Sequence, residues 1–216
     1  MLVTGFEPFG TDRINPSALV AQALHGSQMA SHRIHGLVLP TAFEQAPDCL
    51  LQALTTLKPR WVFALGLAGN RSAISIERVA INVIDARIPD NEGRQPIDVP
   101  VQPRAPAAYF STLPIPSMVG TLKRAGIAVE VSNTAGTFVC NQVFYVLMHA
   151  VGRQAQRTPC RAGFIHLPPI VEMGGPGTMP WPQLLDGVKR AIRAALLHRS
   201  PQGQPGGGPL SSGTLS

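Results

Sequence analysis

The sequence predicts an α/β fold with a mostly parallel sheet, and three observations predict it. Short apolar runs such as WVFAL at 61–65 alternate along the chain with longer amphipathic segments such as 181–199. The run at 61–65 is apolar throughout, as strands covered on both faces are. Helix-start and turn residues (Asn15-Pro16, Pro40, Gly126) fall at the joins.

The elements follow in order. Leu2–Thr4 begins a strand, and 5–10 (GFEPFG) is a loop. Asn15 and Pro16 read as N-cap and first helical residue of a short helix, SALVAQAL. Ile34–Leu39 is a strand closed by Pro40. Thr41 and Glu44 have capping-box spacing and open a helix to about Lys58, with Pro47 its weak point. Trp61–Leu65 is a strand, followed by the loop GLAGNR. Ala73–Val83 has strand character, but its alternation slips between Ile76 and Val79, which predicts a bulge near Glu77. Residues 85–106 read as a long ordered or functional loop. A helix over Ser117–Ala125, a strand over Ile127–Val131, a turn at 132–137 and a helix over Phe138–Val151 come next. A strand over Ala162–Leu167 and a helix over Trp181–Arg199, with Leu184, Leu185, Val188, Ile192 and Leu196 on one face, complete one domain, 1–199. Residues 200–216, PQGQPGGGPLSSGTLS but for the first, carry no charge and little to bury, and are expected to be a disordered tail.

Composition excludes several classes. No stretch of about 18 apolar residues suggests a membrane span. The start, MLVTGFEPFG, lacks the marks of a signal peptide, so a cytoplasmic protein is expected. Three cysteines (Cys49, Cys140, Cys160), none in a CxxC pair, argue against a disulfide framework and a zinc site. The net charge of +6 comes from scattered arginines in a chain only 14% charged, so no nucleic-acid partner is expected.

Candidate chemistry clusters after predicted strands, where open α/β sheets bind ligands. GFEPFG, GLAGNR, SNTAGTFVC and His166 with Leu167-Pro168 all fall there. Cys140 lies about two residues into a predicted helix, where free N–H groups and the positive dipole end favour a thiolate and an oxyanion hole. The plain alternative is a small core residue among Phe138, Val139, Val143 and Phe144. His166 sits at the carboxyl end of an apolar strand and is either structural or a base facing Cys140. Glu77 interrupts an apolar strand; it is either a surface charge or the carboxylate that orients the imidazole. Phe6 and Phe9 are core plugs or aromatic walls. Arg87 is a surface residue or is aimed into a site.

These residues together resemble a known family. TGFEPFG, NPS at 15–17, ERVAINVIDARIPDNEG at 77–93, SNTAGTFVCN at 132–141 and GFIHLP at 163–168 are similar, in order, to pyroglutamyl peptidase type I. The resemblance implies a three-layer α/β/α sandwich of the kind seen in nucleoside phosphorylases. It implies a triad of Cys140, His166 and Glu77, and no metal or cofactor. Phe6, Phe9 and Asn15 would hold the pyroglutamyl ring, with Phe138 and Val139 walling the pocket. Arg87, with the Cys140 backbone, would stabilise the oxyanion. Peptides with N-terminal pyroglutamate are the implied substrates, and a cytosolic homotetramer the implied assembly. Leu67 departs from the Gln often found at that position, so any polar contact there must come from the backbone. A phosphorylase-like enzyme with GLAGNR cradling phosphate, and a binding homologue without turnover, stand as alternatives.

Overall fold

A computed structural model of the chain describes residues 1–154 and 159–198. Its elements are β1 (Leu2–Phe6), α1 (Pro16–Leu24), β2 (Gln28–Met29), β3 (His32–Arg33), β4 (His35–Leu39), α2 (Gln45–Leu57), β5 (Trp61–Leu67), β6 (Ile74–Glu77), β7 (Val79–Ile81), β8 (Ala108–Phe110), α3 (Ile115–Arg124), β9 (Val129–Ser132), α4 (Val139–Gln154), β10 (Arg161–Leu167) and α5 (Trp181–Leu197). The expected tail at 200–216 lies outside the described residues. No helix among the described residues is long and apolar enough to cross a membrane.

Six strands form one sheet in the order β4-β1-β5-β10-β6-β9. β4, β1, β5 and β10 run parallel; β6 meets β10 antiparallel, and β9 follows the direction of β6. Side-chain alternation sorts the two faces. Phe63, Leu65, Ile74, Ile76, Ile165 and Leu167 share a core with α1, α3 and α5 through Leu24, Met118, Leu122, Val188 and Ile192. Val62, Ala64, Ala162 and Phe164 share the other core with α2 and α4 through Leu50, Leu54, Val143, Phe144 and Leu147. The result is the three-layer sandwich.

Close approach on the first face depends on glycine. A Cβ at Gly5 would lie 2.1 Å from the Ser17 carbonyl oxygen, and one at Gly36 would lie 1.9 Å from that of Ala21. The α1 backbone therefore rests directly on β1 and β4. Asn15 caps α1 as expected: its Oδ1 accepts the Ser17 backbone N–H (3.0 Å) and the Ser17 hydroxyl (2.7 Å).

Some expectations change. The capping box at 41–44 does not form, because Thr41 is engaged elsewhere. Its N–H donates to Glu7 Oε1 (3.0 Å) and its hydroxyl to the Glu7 carbonyl (3.1 Å). Glu44 sits at the N-cap position of α2 without a capping side-chain bond. Pro47 is no weak point, since it lies in the first turn, where N–H groups have no helical acceptor. The bulge expected near Glu77 is a full break at Arg78. Its N–H donates to Ser132 O (2.8 Å), while its carbonyl accepts the Ser111 N–H (2.9 Å), so the chain leaves the main sheet for a ribbon with β8. The strands β2, β3 and β8 are only two or three residues long, too short for an alternating pattern to mark them in the sequence. Phe138 lies outside α4, its carbonyl accepting the Gln142 N–H (3.1 Å).

Candidate active site

The antiparallel join of β10 and β6 builds half of the site. The ladder pairs Ile165 with Ile76 and His166 with Ser75. One step further places Glu77 opposite Phe164 and diagonal to His166, on the same face. There His166 Nδ1 lies 2.7 Å from Glu77 Oε1. An ionised carboxylate only accepts, so Nδ1 carries the hydrogen and Nε2 is left as the acceptor. Glu77 is wholly buried and His166 is 4% exposed.

Cys140 arrives from the helix above that face. It is the second residue of α4, in the turn whose backbone N–H groups have no helical acceptor. Its seat is Gly66 of β5, the ladder partner of His166. A Cβ at Gly66 would lie 3.0 Å from Cys140 Sγ and 2.8 Å from Phe164 Cζ. The thiol thus rests over one strand beside the imidazole of the next. Gly66→Ala is expected to keep the fold, lower thermal stability and cut kcat/KM about tenfold to hundredfold by displacing the sulfur. A thermal melt beside a turnover assay checks this, and undiminished turnover would show that the thiol has room to spare.

The electrostatics correct one expectation. Burial pushes the Cys140 thiol up to about 12 from an ordinary value near 9; the Glu77 carboxylate adds to the rise and the Arg71 cation opposes it. The helix terminus works toward the thiolate, but desolvation wins. The resting group is a thiol, and a proton acceptor beside it is required.

The sheet also corrects the placement of the four segments. Those after β1, β5 and β10 share one sheet edge. SNTAGTFVC follows β9, which runs the opposite way. Glu77 and His166 meet on the sheet face beneath α4 rather than beyond its edge.

The other expected residues fall as follows. Phe9 packs edge-on against Phe138 (centroids 5.3 Å), which packs edge-on against Phe43 (5.0 Å). Phe6 is buried, tilted against Phe164 at 6.5 Å. Val139 is wholly buried in the core beneath α4, so its side chain is not free to face a pocket. Asn15 is occupied: besides capping α1, its Nδ2 donates to the Glu7 carbonyl (3.0 Å), leaving one amide hydrogen. Arg87 is exposed and has no hydrogen bond or ion pair among the described residues. Its loop is nonetheless tied to the turn before Cys140, because Asp85 N–H donates to Thr137 O (3.0 Å) and the Thr137 hydroxyl donates to Asp85 O (2.8 Å). Asp90 orders the same loop by accepting the N–H groups of Phe43, Glu92 and Arg94 at 2.8–2.9 Å.

Two residues at the site had no assigned role in the sequence reading. Phe43 is the second partner of Phe138; an aromatic three residues beyond Pro40 at a strand end was its only signal. Arg71 donates from Nη1 to Glu77 Oε1 (2.7 Å) and from Nη2 to Thr134 O (3.0 Å). It is the one cation of the loop after β5, and a carboxylate in an apolar strand calls for one nearby. A groove of about 1160 Å³ between α1, α3 and α5, lined in part by Met29, Lys189 and Arg193, lies across the sheet and involves none of these residues.

A thiol seated beside an imidazole whose free nitrogen accepts, with a carboxylate behind, is the working arrangement of cysteine hydrolases, and fold and site place the chain in that class. It belongs to the pyroglutamyl peptidase family, whose model matches residues 1–198. It is 48% identical over 201 residues to a pyrrolidone-carboxylate peptidase of Gloeobacter violaceus, covering 89% of this chain and 94% of that one. A counterpart from Pseudomonas fluorescens (strain SBW25) is 55% identical over 173 residues, 80% of this chain and 79% of that one. Among solved structures, a mutant pyrrolidone carboxyl peptidase of the hyperthermophile Pyrococcus furiosus superposes with a TM-score of 0.86 at 44% identity, covering 90% of this chain and 97% of that one. The pyrrolidone carboxyl peptidase of Thermococcus litoralis gives 0.87 at 37% identity, with 90% and 92% covered. These relatives favour the peptidase over the phosphorylase-like and binding alternatives.

Proposed function

We propose that this chain hydrolyses the N-terminal pyroglutamyl residue from peptides, with Cys140 as nucleophile, His166 as base and Glu77 as the carboxylate that orients it. The observation that carries the reading is the His166–Glu77 bond of 2.7 Å on the face where Cys140 Sγ is seated, in a chain of this family.

Pyroglutamate is a lactam and bears no ammonium, so its recognition needs no carboxylate or metal. It calls for aromatic faces and a few hydrogen bonds. Phe9, Phe138 and Phe43 supply the faces, with Phe6 behind them; Asn15 and main-chain groups address the lactam N–H and C=O. Proline lacks the lactam carbonyl and would leave those groups unpaired, which rejects it.

In the reaction His166 Nε2 takes the Cys140 proton as Sγ attacks the pyroglutamyl carbonyl carbon. The backbone N–H groups of the first turn of α4, with Arg87 from its tethered loop, hold the oxyanion. The tetrahedral intermediate collapses, the C–N bond breaks, and His166 gives the proton to the departing amine. Water, its proton taken by His166, then attacks the thioester; pyroglutamate leaves and the thiol is restored. The reading extends to a cytoplasmic homotetramer, which would also cover apolar side chains exposed on the loop 85–106 and β8, among them Ile97 and Phe110.

The test is release of a fluorogenic amine from a pyroglutamyl-amide beside its prolyl analogue. Cleavage of the first and not the second is expected. Failure of the folded, reduced protein to release either would overturn the reading.

A further inference from the structure

We propose that Arg71 is a positioning residue for catalysis: it holds the Glu77 carboxylate in place and charged behind His166, and ties the segment leading into Cys140 to the same point. The proposal rests on the reading of Cys140, His166 and Glu77 as the triad.

The geometry is a three-way junction. Glu77 Oε1 accepts from His166 Nδ1 and from Arg71 Nη1, both at 2.7 Å. The other guanidinium nitrogen, Nη2, donates at 3.0 Å to the carbonyl of Thr134, six residues before Cys140. One planar fork therefore joins the loop after β5, the end of β6 and the turn entering α4. Glu77 Oε2 is buried without a hydrogen-bond partner among the described residues, so both bonds that fix the carboxylate fall on Oε1, and one of them is Arg71's. A carboxylate with no exposure needs a cation to remain charged, and an imidazole is one only while protonated. Arg71 supplies a permanent charge, and its side chain is 22% exposed, so the cation itself is only partly desolvated.

The other groups near Glu77 do not replace it. His166 faces it from β10 and Cys140 from α4. Glu130 on β9 is turned to the Ser75 hydroxyl at 2.6 Å, and Arg78, the next residue in the chain, makes no side-chain bond to the carboxylate among the described residues. Arg71 also acts on the nucleophile, opposing the rise that burial and Glu77 impose on the Cys140 thiol.

The two consequences of losing the cation have the same sign. Glu77 either takes up a proton and stops supporting His166 or, staying charged without compensation, holds a proton on His166. Either way the base is silenced at a higher pH than in the wild type.

The experiment compares kcat, KM and the pH profile of kcat/KM on the pyroglutamyl-amide for the full chain and for Arg71→Gln and Arg71→Lys. Arg71→Gln is expected to lower kcat about tenfold to hundredfold with KM changed less than about twofold. Its acid limb should move up by about one pH unit. Arg71→Lys keeps the charge but not the fork, so it should retain the wild-type acid limb and recover part of kcat. A merely structural arginine predicts lower thermal stability with kcat and acid limb unchanged, and that result overturns the proposal. If Arg71→Gln does not fold, Arg71→Lys decides: reduced kcat on an unmoved acid limb supports the proposal, and full kcat or a moved limb sinks it. An inactive wild type overturns the triad reading and this proposal with it; an active wild type with an unaltered Arg71→Gln overturns this proposal alone.

Discussion

Cys140→Ser is expected to fold like the wild type and to lose on the order of 10³ or more in kcat. The hydroxyl is smaller than the thiol and fits over Gly66, so the core beneath α4 has no reason to rearrange. What fails is ionisation. The site already opposes charge on the nucleophile, pushing even a thiol up to about 12, and a hydroxyl is far harder to deprotonate. The same shift predicts how the wild-type thiol reacts. Alkylation of Cys140 by iodoacetamide, read from the mass of its own peptide because Cys49 and Cys160 are also free, should climb about tenfold per pH unit from pH 6 to 9. A plateau reached near neutrality would mean a resting thiolate, and the burial argument would be wrong. The folded value is raised, so the stability this group lends is fully present below about 9 and is lost as pH rises from there through about 12. Unfolding measured across alkaline pH should show that decline, and Cys140→Ser should show a shallower one, because Cys160, raised by burial to about 11, still contributes.

Glu77→Gln is expected to cost about 10²–10³ in kcat, out of proportion to its size. Arg71 Nη1 and His166 Nδ1 both bond to Oε1, so the amide keeps its oxygen there and its NH₂ falls where Oε2 is buried without a partner among the described residues. The Nδ1–H bond survives, but the negative charge that stabilises the imidazolium formed when Nε2 takes the thiol proton is gone, and the buried NH₂ is left without an acceptor. The variant also leaves Arg71 facing a neutral group, so a lower melting temperature accompanies the loss. Near-wild-type kcat in a folded Glu77→Gln would show that the carboxylate is structural only.

Much of this was legible in the residues because strand alternation and position in a helix are local facts. Ala162, Phe164 and His166 share a face by alternation alone, and the start of α4 placed Cys140 in its first turn. The thiol's electrostatics were not legible. Helix position argues for a low value, whereas desolvation depends on what β5, β10 and α4 bury together, which no local pattern states. The break at Arg78 was half legible: a slipped alternation marked it, but only the pairing with Ser132 and Ser111 shows that one peptide serves two ribbons. Thr41 illustrates the reverse error, a capping pattern overridden because Glu7, 34 residues away, offered better bonds.

By itself the sequence determined the α/β class, most element positions and the family, and it singled out Cys140, His166 and Glu77, because these rest on periodicity and on motifs contiguous in the chain. Only the tertiary structure decided that β6 and β9 run against the rest of the sheet, that Gly66 is the seat of the sulfur, that Phe43 packs on Phe138 and that Arg71 stands behind Glu77. The first three are contacts between segments far apart in the chain or antiparallel in space, and the fourth joins a loop to a strand residue six positions on. They are set by how the layers close over the sheet, and local pattern carries no record of that closure.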